Sequence, residues 1–150
     1  MARELVPDTT VFVAAIRQSD RMFLEAVYRG NIWLSAVVAC ELYSGTRSGA
    51  EAVQLDRMVR GAKRANRLLV PTLEDWTRAG RLLARRVRLH GSLRPRDHLA
   101  DVLIVASAGR IGGEVLTSNR VHFEIWADLA RRSGLDVVVR AEPNDGSLSS

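Results

Sequence analysis

Three acidic residues stand alone in otherwise apolar stretches. Asp8 is the only charge between Leu5 and Ile16, and Glu41 is the only charge between Ile32 and Thr46. Asp101 lies in a segment dominated by Leu, Ile, Val and Ala, one helical turn after Asp97. A carboxylate in such surroundings must be turned outward, paired, or held by a cation, because burying it unpaired is costly. Asp8 and Asp97 each admit a plainer role as helix N-caps; Asp101 sits a turn too deep for one. Brought together, carboxylates about 4 Å apart repel by about 4 kcal/mol at an effective dielectric of about 20. Such a cluster therefore needs a cation or shared protons. All-oxygen donors without paired histidines or cysteines favour Mg²⁺ or Mn²⁺ over zinc. The chemistry that uses such a site is hydrolysis of a phosphodiester, with water activated for attack and the leaving oxygen stabilised.

The elements that must position these acids follow from periodicity and breakers. Leu5-Val6-Pro7 is a short strand closed by a proline that cannot donate to a ladder, and Thr9 and Thr10 lead from Asp8 into a first helix. Ser19-Asp20 caps a second helix, Arg21 to Tyr28. Ile32-Trp33-Leu34 is a strand, and Ser35 opens the helix that carries Glu41. An amphipathic helix from Gly49 to Asn66 places Ala52, Leu55, Val59 and Ala62 on one stripe and Arg57, Arg60, Arg64 and Arg67 on another. After the strand Leu68-Leu69-Val70, Pro71-Thr72 starts a helix with Trp76, Ala79, Leu83 and Val87 inward and Arg78, Arg81, Arg85 and Arg88 outward. The loop Leu93-Arg94-Pro95-Arg96 delivers two arginines to the acidic helix, Asp97 to Gly109. A strand, Glu114 to Thr117, ends in the polar corner Thr117-Ser118-Asn119, and a last helix, Val121 to Arg132, precedes the strand Asp136 to Val139. Residues 141–150 read as a disordered tail, leaving one domain over residues 1–140. The alternation β-α-α-β-α-α-β-α-α-β-α-β predicts an α/β fold with a mostly parallel central sheet flanked by helices. Ligands in such folds bind at the carboxyl ends of the strands, where these acids lie.

Composition narrows the class. A net charge of +5 rests almost wholly on arginine, Lys63 being the only lysine. Arginine's planar fork suits phosphate and so fits an RNA or DNA partner, although such stripes are more often solvated helix faces. Cys40 is the only cysteine, which excludes an internal disulfide framework and a multi-cysteine zinc site; its apolar neighbours place it in the core. No run approaches the ~18 apolar residues of a membrane helix, and the N-terminus lacks a signal-peptide layout, so a cytoplasmic chain is expected. His98, next to the acidic pair, reads as a surface residue, and His122 as peripheral.

Four stretches together resemble the motifs of PIN-domain nucleases: Val6 to Val11, Leu34 to Leu42, Asp101 to Ala106, and Leu116 to Phe123. Their order, spacing and the chain length are most similar to VapC-type toxins of bacterial toxin-antitoxin pairs. The resemblance implies a three-layer PIN-like fold and a Mg²⁺- or Mn²⁺-dependent endoribonuclease. It assigns Asp8, Glu41, Asp101 and, at its fourth motif, Asn119 to the catalytic set; Asp97, one helical turn from Asp101, is expected by its place as a further metal ligand. By their places beside these residues, Thr9, Thr10 and Thr117 are expected to support the acids and Arg94, Arg96 and Arg120 to hold RNA. It also implies a homodimer and a cognate VapB-like antitoxin, with no membrane partner. Asn119 departs from the pattern, since many relatives carry aspartate there; an amide keeps a carbonyl oxygen but no charge. That leaves as the alternative a catalytically weak PIN-like protein that binds RNA or antitoxin.

Overall fold

A computed structural model describes residues 2–142. Among them are five strands and seven helices, in the alternating order the sequence predicts. These are β1 (Leu5–Pro7), α1 (Thr9–Arg17), α2 (Arg21–Tyr28), β2 (Leu34–Ser35), α3 (Ala36–Ser44), α4 (Gly49–Arg64), β3 (Leu68–Leu69), α5 (Leu73–His90), α6 (Pro95–Arg110), β4 (Glu114–Thr117), α7 (Arg120–Arg132) and β5 (Val138–Ala141). All strand pairs are parallel, β1 with β4, β4 with β5, and β2 with β3. The backbone N–H of Trp33 donates to the Leu5 carbonyl at 3.0 Å, which sets β2 beside β1. The spatial order is therefore β3-β2-β1-β4-β5. The chain winds outward from β1 to β3, then crosses back to β4 on the other side. That reversal between β1 and β4 is the switch point at which open α/β sheets leave a crevice for ligands.

The sheet and α6 form the centre of the molecule. Val102 to Gly109 are all buried, so α6 is apolar around most of its circumference, as a helix enclosed on several sides must be. It packs on α3, α5, α7 and β4. Ser107 within it donates to the Leu103 carbonyl at 2.6 Å, which satisfies the only buried hydroxyl of the helix. The turn from α6 to β4 needs two glycines. Gly112 has φ +63°, and a Cβ on Gly113 would stand 3.1 Å from the Ala108 carbonyl oxygen and 3.2 Å from a Val6 methyl, so a side chain there would crowd the junction of β4 with β1.

Several elements differ from the sequence expectation. β2 is Leu34–Ser35 rather than residues 32–34, α4 stops at Arg64, and β5 runs to Ala141, two residues past the expected strand end. Ala141 and Glu142 still belong to the sheet edge, since Glu142 N–H donates to the Thr117 carbonyl at 2.8 Å; the remainder of the expected tail lies outside the described residues. In α4 the buried stripe is Leu55, Met58 and Ala62. Cys40 is exposed, not core. The buried face of α3 is Val38, Ala39 and Leu42, and Cys40, two residues from Val38 and Leu42, points the other way.

Trp76 and Val87 are also exposed rather than inward. The reason is the capping box of α5, in which Thr72 and Asp75 exchange side-chain and backbone hydrogen bonds. Asp75 is drawn fully inside, where Arg110 Nε donates to it at 2.9 Å. With Asp75, Ala79, Leu82 and Leu83 inward, Trp76 is rotated to the rim. Finally, α6 begins at Pro95 with Arg94 as its N-cap residue, because proline suits the first helical position. Asp97 is thus in the first turn and is not the cap.

Candidate active site

Asp8 follows directly from β1, and its own N–H donates to the Leu116 carbonyl at 2.9 Å. Strand pairing therefore continues one residue past β1 and presses Asp8 against the end of β4. Its side chain caps α1 by accepting from Val11 N–H at 3.2 Å. The capping role is real, and it does not exhaust the residue. Thr10 Oγ1 donates to Oδ1 and Thr117 Oγ1 to Oδ2, both at 2.6 Å. Each hydroxyl is itself held by the β4–α7 corner: Ser118 N–H donates to Thr10 at 3.2 Å and Asn119 N–H to Thr117 at 2.9 Å. Two parallel relays thus run from that backbone corner into one carboxylate. Asp8 is 2% exposed. Burial pushes its carboxyl above the usual range, the two threonine hydroxyls and Val11 N–H pull it back, and the charge of Asp101 adds to the rise.

Glu41 projects from α3, just after β2, and accepts from Thr9 Oγ1 at 2.9 Å. Partial burial raises its carboxyl, Thr9 opposes that, and the charges of Asp101 and Asp8 raise it further. Three acids from β1, α3 and α6 therefore sit within one another's field. Among the described residues no arginine or lysine pairs with any of them. The partner Asp101 does have is His122, whose Nε2 lies 2.7 Å from Oδ2.

His122 is thus no peripheral residue, and His98 is no simple surface one. The His98 ring is half-buried, 5.6 Å from the rings of both His122 and Trp126. The available signal was position: His122 stands in the first turn of the helix that opens at the Thr117-Ser118-Asn119 corner. Asn119 occupies the N-cap position of α7 without a side-chain cap bond, leaving its amide exposed beside the corner. Asp97 is exposed, and its side chain forms no ion pair among the described residues. Arg94 and Arg120 are exposed at the starts of α6 and α7. Arg96 shares an open groove of about 410 Å³ with Glu41, Val37, Cys40, Trp76 and Leu99, so it is the arginine of the three that the fold sets beside an acid.

The donor set suits a hard divalent cation. It is all oxygen, the carboxyls of Asp8 and Glu41 are raised by burial and by neighbouring negative charge, and no arginine or lysine among the described residues neutralises it. As they stand, no group of three or more His, Cys, Asp or Glu side chains among the described residues is gathered closely enough to hold a metal ion.

The sequence matches the PIN domain family over residues 5–138. No curated protein matches it. Among solved structures it is similar to a chain of DNA-bound VapBC from Salmonella typhimurium, with TM-score 0.64 and 19% identity over 93% of this chain and 98% of that one. It is also similar to FitAB bound to an IR36 DNA fragment, with TM-score 0.58, 19% identity, and 91% and 94% covered. A third is VapBC2 from Rickettsia felis bound to a DNA fragment from its promoter, with TM-score 0.58, 18% identity, and 93% and 98% covered. At these identities the structures speak for the fold. Since the family match runs from the first strand into the last and takes in every acid at the switch point, the chain belongs to the PIN-domain family.

Proposed function

We propose that this protein is a Mg²⁺- or Mn²⁺-dependent endoribonuclease that acts as the toxin of a VapBC-like toxin-antitoxin pair. The observation that carries the reading is the gathering of Asp8, Glu41 and Asp101 near the end of β1, with Asp8 gripped by Thr10 and Thr117 and Glu41 by Thr9, and with the carboxyls of Asp8 and Glu41 raised first by burial and further by the charge of Asp101. Asp8, Glu41 and Asp101 would hold the cation, with Asn119, at the β4–α7 corner, and Asp97, one turn before Asp101 on α6, as further oxygen donors. Bound there, the metal would supply the Lewis acidity that activates water and stabilises the leaving oxygen. Thr10 and Thr117 hold both oxygens of Asp8, so that carboxylate is oriented before substrate arrives. Thr9 does the same for Glu41 from one side. Arg94, Arg96 and Arg120 would take the phosphates flanking the cut, as guanidinium forks do.

The partners in this reading are a VapB-like antitoxin, a second copy of the chain, and single-stranded stretches of RNA. The antitoxin follows from the likeness to complexes named VapBC and FitAB. No helix among the described residues is long and apolar enough to cross a membrane. A second reading, a catalytically weak RNA- or antitoxin-binding protein, has one observation in its favour, the uncharged amide of Asn119 at the corner.

The deciding experiment incubates total RNA with the purified chain in Mg²⁺, in Mn²⁺ and in EDTA, beside an Asp8→Asn, Asp101→Asn double variant. Metal-dependent cleavage that the variant loses supports the nuclease. RNA binding without cleavage in every condition selects the second reading.

A further inference from the structure

We infer that His122 is a positioning residue for Asp101, fixing that carboxylate for cation binding, and that His122 is itself fixed by an aromatic stack built from α6 and α7. The inference rests on the metal-dependent reading above and extends it to a residue outside the acidic set. His122 Nε2 lies 2.7 Å from Asp101 Oδ2, with both side chains about 70% shielded from solvent, at 29% and 28% exposure. An ionised carboxylate can only accept, so Nε2 must carry the proton whether the ring is neutral or charged. The bond therefore exists in either ring state.

The ring has little freedom to leave it. His98, one turn before Asp101 on α6, places its ring 5.6 Å from that of His122 at a 34° tilt. Phe123 meets the His122 ring edge-on at 6.0 Å and 86°. Trp126, one turn after His122 and 2% exposed, backs His98 at 5.6 Å. Residues three and four apart on a helix share a face, so the spacing of His98 and Asp101 and that of His122 and Trp126 put all four at the α6–α7 seam. With Oδ2 committed to His122, Oδ1 is the Asp101 oxygen that has no hydrogen-bond partner among the described residues. Ordering of this kind lowers the entropy a carboxylate must lose when it takes a cation, and removing such outer partners typically weakens metal binding about 10–100-fold.

The test measures Mn²⁺ affinity of the full chain by electron paramagnetic resonance of the free ion, with melting temperature recorded alongside. His122→Phe keeps the ring and its stacking but cannot donate, and His122→Gln restores a donor at the same reach. The inference expects His122→Phe to weaken Mn²⁺ by roughly 10-fold or more and His122→Gln to stay within about 3-fold of the unaltered chain. Should His122→Phe fail to fold, His122→Asn, which stops short of the carboxylate, carries the same expectation. Equal affinities in all variants, or equal losses in the Phe and Gln variants, overturn the inference alone. Absence of Mn²⁺ binding by the folded, unaltered chain overturns it together with the metal-dependent reading.

Discussion

Thr117 Oγ1 donates to Asp8 Oδ2 at 2.6 Å across 109 positions of sequence, and the same hydroxyl accepts from Asn119 N–H. Thr117 is fully buried, so water cannot replace either bond. The pair ties the ends of β1 and β4 together at the point where the acids gather.

Thr117→Val should therefore strip one oxygen of Asp8 of its donor and leave the Asn119 N–H without an acceptor. We expect a loss of about 1–2 kcal/mol in stability by urea unfolding and a fall of about 10-fold or more in RNA cleavage, with Thr117→Ser close to normal in both. Unchanged cleavage in the valine variant would show that Asp8 needs no such support.

Glu41 is held above the ordinary 4.5 by burial and by the charges of Asp101 and Asp8, against the pull of Thr9. A raised folded-state pKa means the folded chain binds the proton more tightly than the unfolded one. Stability of the metal-free chain is then lost as pH rises from the unfolded value through the folded one. Glu41→Gln in EDTA should melt higher than the unaltered chain near neutral pH, with the gain fading as pH falls below the usual glutamate range, while cleavage is abolished. A melting difference independent of pH would contradict this electrostatic account.

Arg110 is the cationic partner of the fully buried Asp75, with Nε at 2.9 Å, and it also donates to the Val70 carbonyl. Arg110→Ala leaves the buried Asp75 carboxylate without its cationic partner, with only the Thr72 N–H still donating to it, and should cost about 3 kcal/mol in denaturant unfolding, a cost that Asp75→Asn in the same chain partly relieves. Metal-dependent cleavage per folded molecule should be unaffected, since neither residue reaches the acids.

Arg94, Arg96 and Arg120 are exposed and free of ion pairs among the described residues. If they hold phosphates, each Arg→Gln change should reduce the slope of log affinity against log salt for single-stranded RNA by about 0.7. Measured on the Asp8→Asn, Asp101→Asn background, binding can be read without cleavage. Arg96 should matter most, because it shares the groove with Glu41; an unchanged salt slope would remove these arginines from the interface.

Much of this protein is written locally. The isolation of Asp8, Glu41 and Asp101 in apolar segments, the breakers between elements, and the alternation of short strands with amphipathic helices gave the element order and the acids because each depends on neighbours within a turn or two. Local pattern misplaced Cys40 and Trp76 for an equally physical reason. Periodicity shows that a helix has an apolar face, but which of two adjacent stripes faces inward was decided by contacts from elsewhere, in α5 by Arg110 drawing Asp75 into the core.

What the sequence by itself determined was the kind of chemistry: oxygen donors, arginine in place of lysine, and no cysteine or histidine set for a softer metal. What only the tertiary structure decided was neighbourhood. That β1 lies between β2 and β4, that Thr117 reaches Asp8, and that His122 rather than Asp97 stands against Asp101 all follow from strand pairing and helix packing between segments far apart in the chain. Such pairings are selected by the burial of whole faces against one another, and no window of sequence contains both sides of that choice.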